Sequence, residues 1–258
     1  MTDLSGKNVV YVAGLGGIGL ASCKSFLKRR IQNLIIVDVV ERPQIIKDLQ
    51  SGFPETKISF MSLDVSKKPE IETCLRKIIQ KIEFIDILVN GAGIVADQNV
   101  ELSIAVNLTG LINTTLLAIP LMDKSRQGRG GIIVNMASIL SFEPFGGLAV
   151  YTATKHGVLG FTRSISDDIY YKRTGIACIA VCPGITDTPM IGYEGKCTFD
   201  YSLDMCQGFI NAKNRQTAEE MGESLVKVVE TWKNGSVWLC DEGKIKELEM
   251  PKNWELRL

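Results

Sequence analysis

Val9-Val-Tyr-Val-Ala13-Gly14-Leu15-Gly16-Gly17-Ile18-Gly19 is the stretch whose reading decides the fold. An apolar, largely β-branched run ends in a cluster of glycines, and residues of helical spacing follow over 17–30. Glycine lets a tight turn reach positive φ and lets a ligand approach the backbone closely. The first turn of the helix then offers unpaired N–H groups and a favourable dipole to an anion. Strand, glycine turn and helix in this order predict the first βα unit of a parallel sheet, with a pyrophosphate cradle at Gly14, Leu15, Gly16, Gly17, Ile18 and Gly19.

Further apolar runs recur at 34–39, 58–65, 85–90, 132–136, 176–181 and 236–240, making seven strands with 9–13. Most are continuously apolar rather than alternating, as expected of strands covered on both faces. Helical spacing lies between them at 67–82, 100–122, 151–171 and 217–232, and Thr217-Ala-Glu-Glu220 reads as a capping box. Strand and helix alternate to about residue 185 without a linker or repeat. The expectation is an α/β fold: a single doubly wound Rossmann-type domain over 1–258, with about seven parallel strands and helices on both faces. The segment 186–216 breaks the rhythm. It carries Met190, Ile191, Tyr193, Phe199, Tyr201, Met205 and Phe209 beyond the sixth strand, which suits either a lid over a substrate pocket or a helical excursion packed on the core.

Twenty-nine basic residues balance twenty-nine acidic ones among 258, without a block of like charge. No nucleic-acid or membrane-surface footprint is visible, so partners are expected to be small molecules or a second copy of the chain. No membrane span is expected, and Met1-Thr-Asp-Leu-Ser-Gly6 lacks the pattern of a signal peptide, which predicts a cytoplasmic protein. The seven cysteines contain no C-x-x-C and read as reduced packing residues. His156 is the single histidine, so no metal site and no serine–histidine hydrolase is expected.

Nineteen residues after Gly19 the second strand carries Asp38. A carboxylate there would accept hydrogen bonds from the adenosine ribose hydroxyls and repel a 2′-phosphate, which predicts NAD over NADP; Arg42, four residues on, softens that preference. Asp64-Val65 and Asn90-Gly91-Ala92-Gly93 stand where strands three and four end, the edge along which a dinucleotide would run, although Asn-Gly-Ala-Gly also reads as a simple turn. In Tyr151-Thr-Ala-Thr-Lys155 the spacing of four sets a phenol and an ammonium one helical turn apart. A nearby cation stabilises phenolate, at ~1.4 kcal/mol per pKa unit below the usual value of about 10. Ser138, thirteen residues upstream, follows a strand and can meet Tyr151 at the carboxyl edge of the sheet.

Together, the glycine loop, Asp38, Asp64, Asn90-Gly-Ala-Gly93, Asn107, Ser138, Tyr151-x-x-x-Lys155 and Pro183-Gly184-Ile185-Thr-Asp-Thr188 resemble the short-chain dehydrogenase/reductase family over essentially the whole chain. The short glycine loop beginning Ala13-Gly14 resembles that of the insect-type alcohol dehydrogenases, as do the stretches 105–115 and 234–238 and a tail bearing Trp254. The stretches 131–138 and 155–163 are similar to 15-hydroxyprostaglandin dehydrogenase. The resemblance implies that Tyr151 is the general base, that Ser138 hydrogen-bonds the substrate oxygen, and that Lys155 binds the nicotinamide ribose and lowers the phenol pKa. It further implies that Asn107 holds a relay water and that Ile185 and Thr188 meet the nicotinamide carboxamide after the turn at Pro183-Gly184. The activity so implied is NAD-dependent oxidation of a secondary or lipid-like alcohol to a ketone or aldehyde, by a homodimer built on the helices of Asn107 and Tyr151. Two alternatives stand beside it. One is a hydroxyprostaglandin or hydroxy-fatty-acid dehydrogenase, for whose carboxylate Lys196, Lys213 and Arg215 are the cations in the lid; the other is a nucleotide-binding or storage relative without turnover.

Overall fold

The computed structural model describes residues 1–192, 195–211 and 215–250, with the side chains of Phe209 and Ile210 excepted. Tyr193, Lys213, Trp254 and the Phe209 side chain therefore lie outside the described residues. In chain order the first elements are β1 (Asn8–Val12), α1 (Gly17–Leu27), β2 (Asn33–Asp38), α2 (Pro43–Gly52), β3 (Lys57–Ser62), α3 (Lys68–Ile82) and β4 (Ile87–Asn90). They are followed by α4 (Val100–Ile104), a π-helical stretch (Ala105–Gly110), α5 (Leu111–Met122), β5 (Gly131–Met136), α6 (Ala149–Ile165), α7 (Asp168–Thr174) and β6 (Ile176–Pro183). The last are β7 (Thr186–Asp187), α8 (Leu203–Ile210), β8 (Gln216–Thr217), α9 (Ala218–Glu230), β9 (Val237–Asp241) and β10 (Lys244–Glu247).

The main sheet runs β10-β9-β6-β5-β4-β1-β2-β3. From β3 to β9 all pairings are parallel, and β1 sits between β2 and β4. The chain winds outward from β1 in both directions, so β1 and β4 form the switch point, where the two connections diverge and leave a crevice beyond the strand ends. The sheet has eight strands, one more than the seven read from the sequence. The extra one, β10, pairs antiparallel with β9 through Glu242 and Gly243, both at positive φ. A two-residue loop of that kind matches the twist of a hairpin, but Lys244-Ile-Lys-Glu247 is too polar to read as a strand.

Both faces of the sheet are covered, as the unbroken apolar runs require. Val9, Tyr11, Leu34 and Ile36 pack towards Phe26 of α1 and Leu225 of α9, while Val10, Val12, Ile35 and Val37 pack towards Ile71 and Ile78 of α3 and Ala118 of α5. Other local expectations are corrected. Helix α2 was not anticipated, β3 stops at Ser62 so that Asp64-Val65 falls in the following loop, and the helix read over 151–171 starts at Ala149 and breaks where the Asp167 side chain accepts from Ile169 N and caps α7. The helix Val100–Met122 is also long and apolar enough, by length and composition, to cross a membrane. It contributes Leu111, Ala118 and Met122 to the core and buries Asn107, Thr114 and Thr115.

Asn90 Nδ2 donates to Thr115 Oγ1 at 3.0 Å and to Asn135 Oδ1 at 2.9 Å, and Asn135 Nδ2 donates to Thr162 Oγ1 at 3.0 Å. This buried ladder ties β4 and β5 to α5 and α6, each bond stabilising by about 1 kcal/mol. It turns the Asn90 side chain into the core rather than towards the strand-end crevice.

Candidate active site

Gly16 is the N-cap of α1 in an extended conformation and no side chain caps the helix, so its first N–H groups remain available to an anion. A Cβ on Gly19 would lie 2.1 Å from the Ala13 carbonyl oxygen, and one on Gly17 would lie 2.6 Å from Thr188 Cγ2. Only residues without a side chain let α1 start this close to the β1 exit and let the chain after β6 close over the loop. The cradle thus fits a dinucleotide pyrophosphate.

Beyond the carboxyl ends of β1, β4, β5 and β6 lies a cavity of about 630 Å³. The glycine loop contributes Leu15, Gly16, Gly17, Ile18 and Gly19, and the β4 exit contributes Gly91 and Gly93. Ser138, Tyr151 and Lys155 line its centre, and Pro183, Gly184, Ile185 and Thr188 line the side beyond β6. The sequence reading missed the apolar wall of Ile94, Val95, Leu140 and Leu148, which Met190 and Ile191 of the 186–216 segment complete.

Seven of the residues picked from the sequence do not line this cavity: Gly14, Asp38, Asp64, Val65, Asn90, Ala92 and Asn107. Gly14 packs against Ile36 and Tyr11, and Val65 sits against Gly110 of the π-helical stretch. Asp64 accepts from Ser66 N at 3.0 Å and Ser66 Oγ at 2.7 Å; those bonds, with nearby Lys67, hold its carboxyl below the usual range. Asp38 is engaged through both oxygens, by Leu15 N at 2.9 Å and Val39 N at 2.8 Å. Arg42, at the start of α2, lines the cavity instead.

Lys155 is 3 % exposed, and Nζ donates to the Met136 carbonyl at 2.9 Å. Burial lowers its pKa to about 8. Nζ lies 5.5 Å from the centre of the Tyr151 ring, as the spacing of four predicts. A Cβ on Gly93 would be 3.5 Å from Nζ and 3.7 Å from Asn107 Oδ1, so both groups converge on that glycine. Asn107 sits in the π-helical stretch, where Oδ1 accepts from Ile94 N at 2.8 Å and Nδ2 donates to Ile94 O at 2.9 Å. Its amide thereby pins the loop after β4. A π-turn within an α-helix is a recurrent mark of a functional position.

Ser138 Oγ accepts from Leu140 N at 3.1 Å, which leaves its own proton for an acceptor in the cavity. Its backbone N–H donates to Ser141 Oγ, which in turn donates to the Lys155 carbonyl at 2.9 Å. The turn after β5 and helix α6 are thereby locked together, with serine, tyrosine and lysine in one frame.

One positioning residue escaped the sequence reading. Asp97, 2 % exposed, accepts from Tyr151 N at 2.9 Å, Val150 N at 2.7 Å and Thr198 Oγ1 at 2.8 Å. Thr198 Oγ1 also accepts from Ala149 N at 2.8 Å, and Asp97 N donates to the Lys196 carbonyl at 3.0 Å. The first turn of α6 is capped by a charge that favours its dipole and is tied to the 186–216 segment. Nothing in a single acidic residue four places after Gly93 signals such a role.

The segment 186–216 is closed at its base, where β7 pairs with β8, Thr186 opposite Gln216. Buried Gln216 Nε2 donates to Cys240 O at 2.8 Å, and Arg215 is ion-paired with Asp187. Pro189, Met190 and Ile191 of this segment line the cavity, while Phe199 and Tyr201 stack on each other, largely exposed.

The family model described as short chain dehydrogenase matches residues 7–196. A curated relative, alcohol dehydrogenase 2 of Ceratitis cosyra, is 45 % identical over 253 residues, covering 98 % of this chain and 98 % of the relative. Among solved structures, that of levodione reductase superposes with a TM-score of 0.79 at 23 % identity, covering 93 % of this chain and 98 % of that one. The structure titled ElxO with NADP bound gives a TM-score of 0.75 at 26 % identity, over 92 % of this chain and 98 % of that one.

Proposed function

The chain belongs to the short-chain dehydrogenase family, and on that premise we propose that it is an NAD-dependent alcohol dehydrogenase oxidising secondary or lipid-like alcohols to carbonyl compounds. The observation that carries this reading is the convergence of Ser138, Tyr151 and Lys155 on a cavity continuous with the glycine cradle. The dinucleotide, when bound, supplies a hydride acceptor. Ser138 donates its free proton to the alcohol oxygen and holds it beside the Tyr151 phenol, which takes the hydroxyl proton. The Lys155 ammonium, aimed by Met136 O and by the Asp97-capped frame of α6, favours phenolate and holds the nicotinamide ribose hydroxyls. Asn107 fixes Ile94 and the loop bearing Gly93 around them, and a relay water at Oδ1 would share that atom with Ile94 N. The wall of Ile94, Val95, Leu140 and Leu148 with Met190 and Ile191 supports an apolar substrate and a lid role for 186–216. NADH formation from NAD⁺ across short secondary alcohols and longer-chain alcohols tests the reading; no NADH from any of them would refute it.

The preference for NAD rests on Asp38, whose carboxylate is clamped by Leu15 N and Val39 N at the rim of the cradle, where it repels a 2′-phosphate. Arg42 on the cavity side limits that preference. Asp38→Asn is expected to raise the ratio of kcat/KM for NADP to that for NAD about tenfold or more, the weight of one charged contact. An unchanged ratio would remove Asp38 from cofactor selection.

Exposed Leu102, Ile104 and Leu116 on the helix carrying Asn107 support a homodimer, which a monomeric sedimentation profile would refute. Seven buried cysteines without a disulfide fit a reducing compartment such as the cytosol.

A further inference from the structure

The described lining of the cavity holds three cations, Arg42, Lys155 and Lys196, and no carboxylate. The first two are accounted for. Arg42 stands at the glycine-loop end, and Lys155 is committed to Met136 O beneath Tyr151. Lys196 is half-buried, and its ammonium has no ion-pair or hydrogen-bond partner among the described residues. Its place in the cavity follows from its backbone. The Lys196 carbonyl accepts from Asp97 N, and the Asp97 carboxylate accepts from Tyr151 N, so Lys196 stands two hydrogen bonds from the reacting tyrosine. Val95, Leu148, Met190 and Ile191 line the same cavity and cannot balance its charge. Arg215, the other described cation of this segment, is paired with Asp187.

We propose that Lys196 is the anchor for a carboxylate on the substrate, and that the preferred substrates are hydroxycarboxylic acids: a carbinol at Ser138 and Tyr151, an apolar spacer along Val95 and Leu148, and an anion at Lys196. The inference rests on the alcohol dehydrogenase reading and narrows its substrate class. A half-buried cation in a cavity with apolar lining interacts more strongly with an anion than it would in open water, because fewer water dipoles screen the pair. A charge-assisted hydrogen bond of this kind discriminates by about 10- to 100-fold against a neutral group of the same shape.

The test compares NADH formation from 3-hydroxybutanoate, 5-hydroxyhexanoate and 7-hydroxyoctanoate with that from their primary amides and from 2-alkanols of equal length. For the best chain length, wild type should favour the acid over the amide in kcat/KM, chiefly through KM. Lys196→Gln should reduce the acid-to-amide ratio about 10- to 100-fold, Lys196→Glu should reverse the preference, and Lys196→Arg should restore it. Because each ratio compares two substrates on one protein, partial misfolding of a variant cancels from it. If neutral alcohols are oxidised but wild type shows no acid preference, or the ratio is the same in Lys196→Gln, the carboxylate anchor is overturned while the dehydrogenase reading stands. No NADH from acids, amides or alcohols would overturn that reading, and the anchor with it.

Discussion

Tyr151→Phe is expected to lower NADH formation from every oxidised alcohol by about 10²- to 10⁴-fold, the usual contribution of a positioned general base. The loss should fall on kcat, with NAD⁺ affinity nearly unchanged. Removing one oxygen leaves the ring, which packs beside Val95, Leu140 and Leu148. The helix keeps its start, because Asp97 is held by the backbone N–H of residue 151 and not by the phenol. Thermal stability should therefore move by less than about 1 kcal/mol, within the range of mild substitutions. Turnover retained in the variant would put the base elsewhere. A wild-type protein that binds NAD⁺ but oxidises nothing, indistinguishable from the variant, would instead favour the non-catalytic relative.

The second expectation runs in the opposite direction for stability. Lys155 titrates normally near 10.5 and is lowered to about 8 by burial, so holding the ammonium inside the fold near neutral pH costs about 3 kcal/mol. Lys155→Met keeps the length and apolar stem, removes the charge and leaves the Met136 carbonyl without its donor, a loss of about 1 kcal/mol. The net expectation is a cofactor-free variant more stable at pH 7 by about 2 kcal/mol, with Tm raised by a few degrees. Its NADH formation should nevertheless collapse, because the variant lacks the cation proposed to favour phenolate and to hold the ribose.

The pH dependence gives this expectation its sign. Between about pH 8 and 10.5 the unfolded chain carries the Lys155 proton and the folded chain does not. Stability from this group therefore rises with pH across that window and is lowest below it. The advantage of Lys155→Met should shrink as pH rises through the same window, read as the difference between denaturation midpoints of the two proteins. A variant less stable than wild type at pH 7, with a difference independent of pH, would refute the account of a buried, strained ammonium. Such a trade of stability for function is common where a site needs a charge in a poor solvent.

The order of strands and helices was legible because it depends on local quantities: apolar runs of four to eight residues, a glycine turn, and a period of 3.6. The pairing of Tyr151 with Lys155 was legible for the same reason, since two residues on one helix face have a fixed relation wherever the helix lies. The capping box of Thr217 and Glu220 likewise formed as its spacing predicts. Hairpin β9–β10 was not legible, because its second strand alternates a single isoleucine with charges and is recruited by a turn.

The contents of the cavity belong to a different level. Asp38 and Arg42 are four residues apart, yet the arginine lines the cavity and the aspartate binds the backbone of the loop beneath it. Asn90 stands at a strand end with glycines beside it, yet its amide closes a buried ladder with Asn135, 45 residues away. Asp97 meets Tyr151 across 54 residues and Thr198 across 101, and its backbone N–H donates to the Lys196 carbonyl at the same junction. The sequence by itself determined seven strands of the main sheet, their alternation with helices and the motifs contained within one element, but not α2 or β10, because short-range sterics and periodicity act on neighbours. Only the tertiary structure decided which side chains from separate elements share one space and which acceptors they find there, because that depends on how two layers of helices close over the sheet.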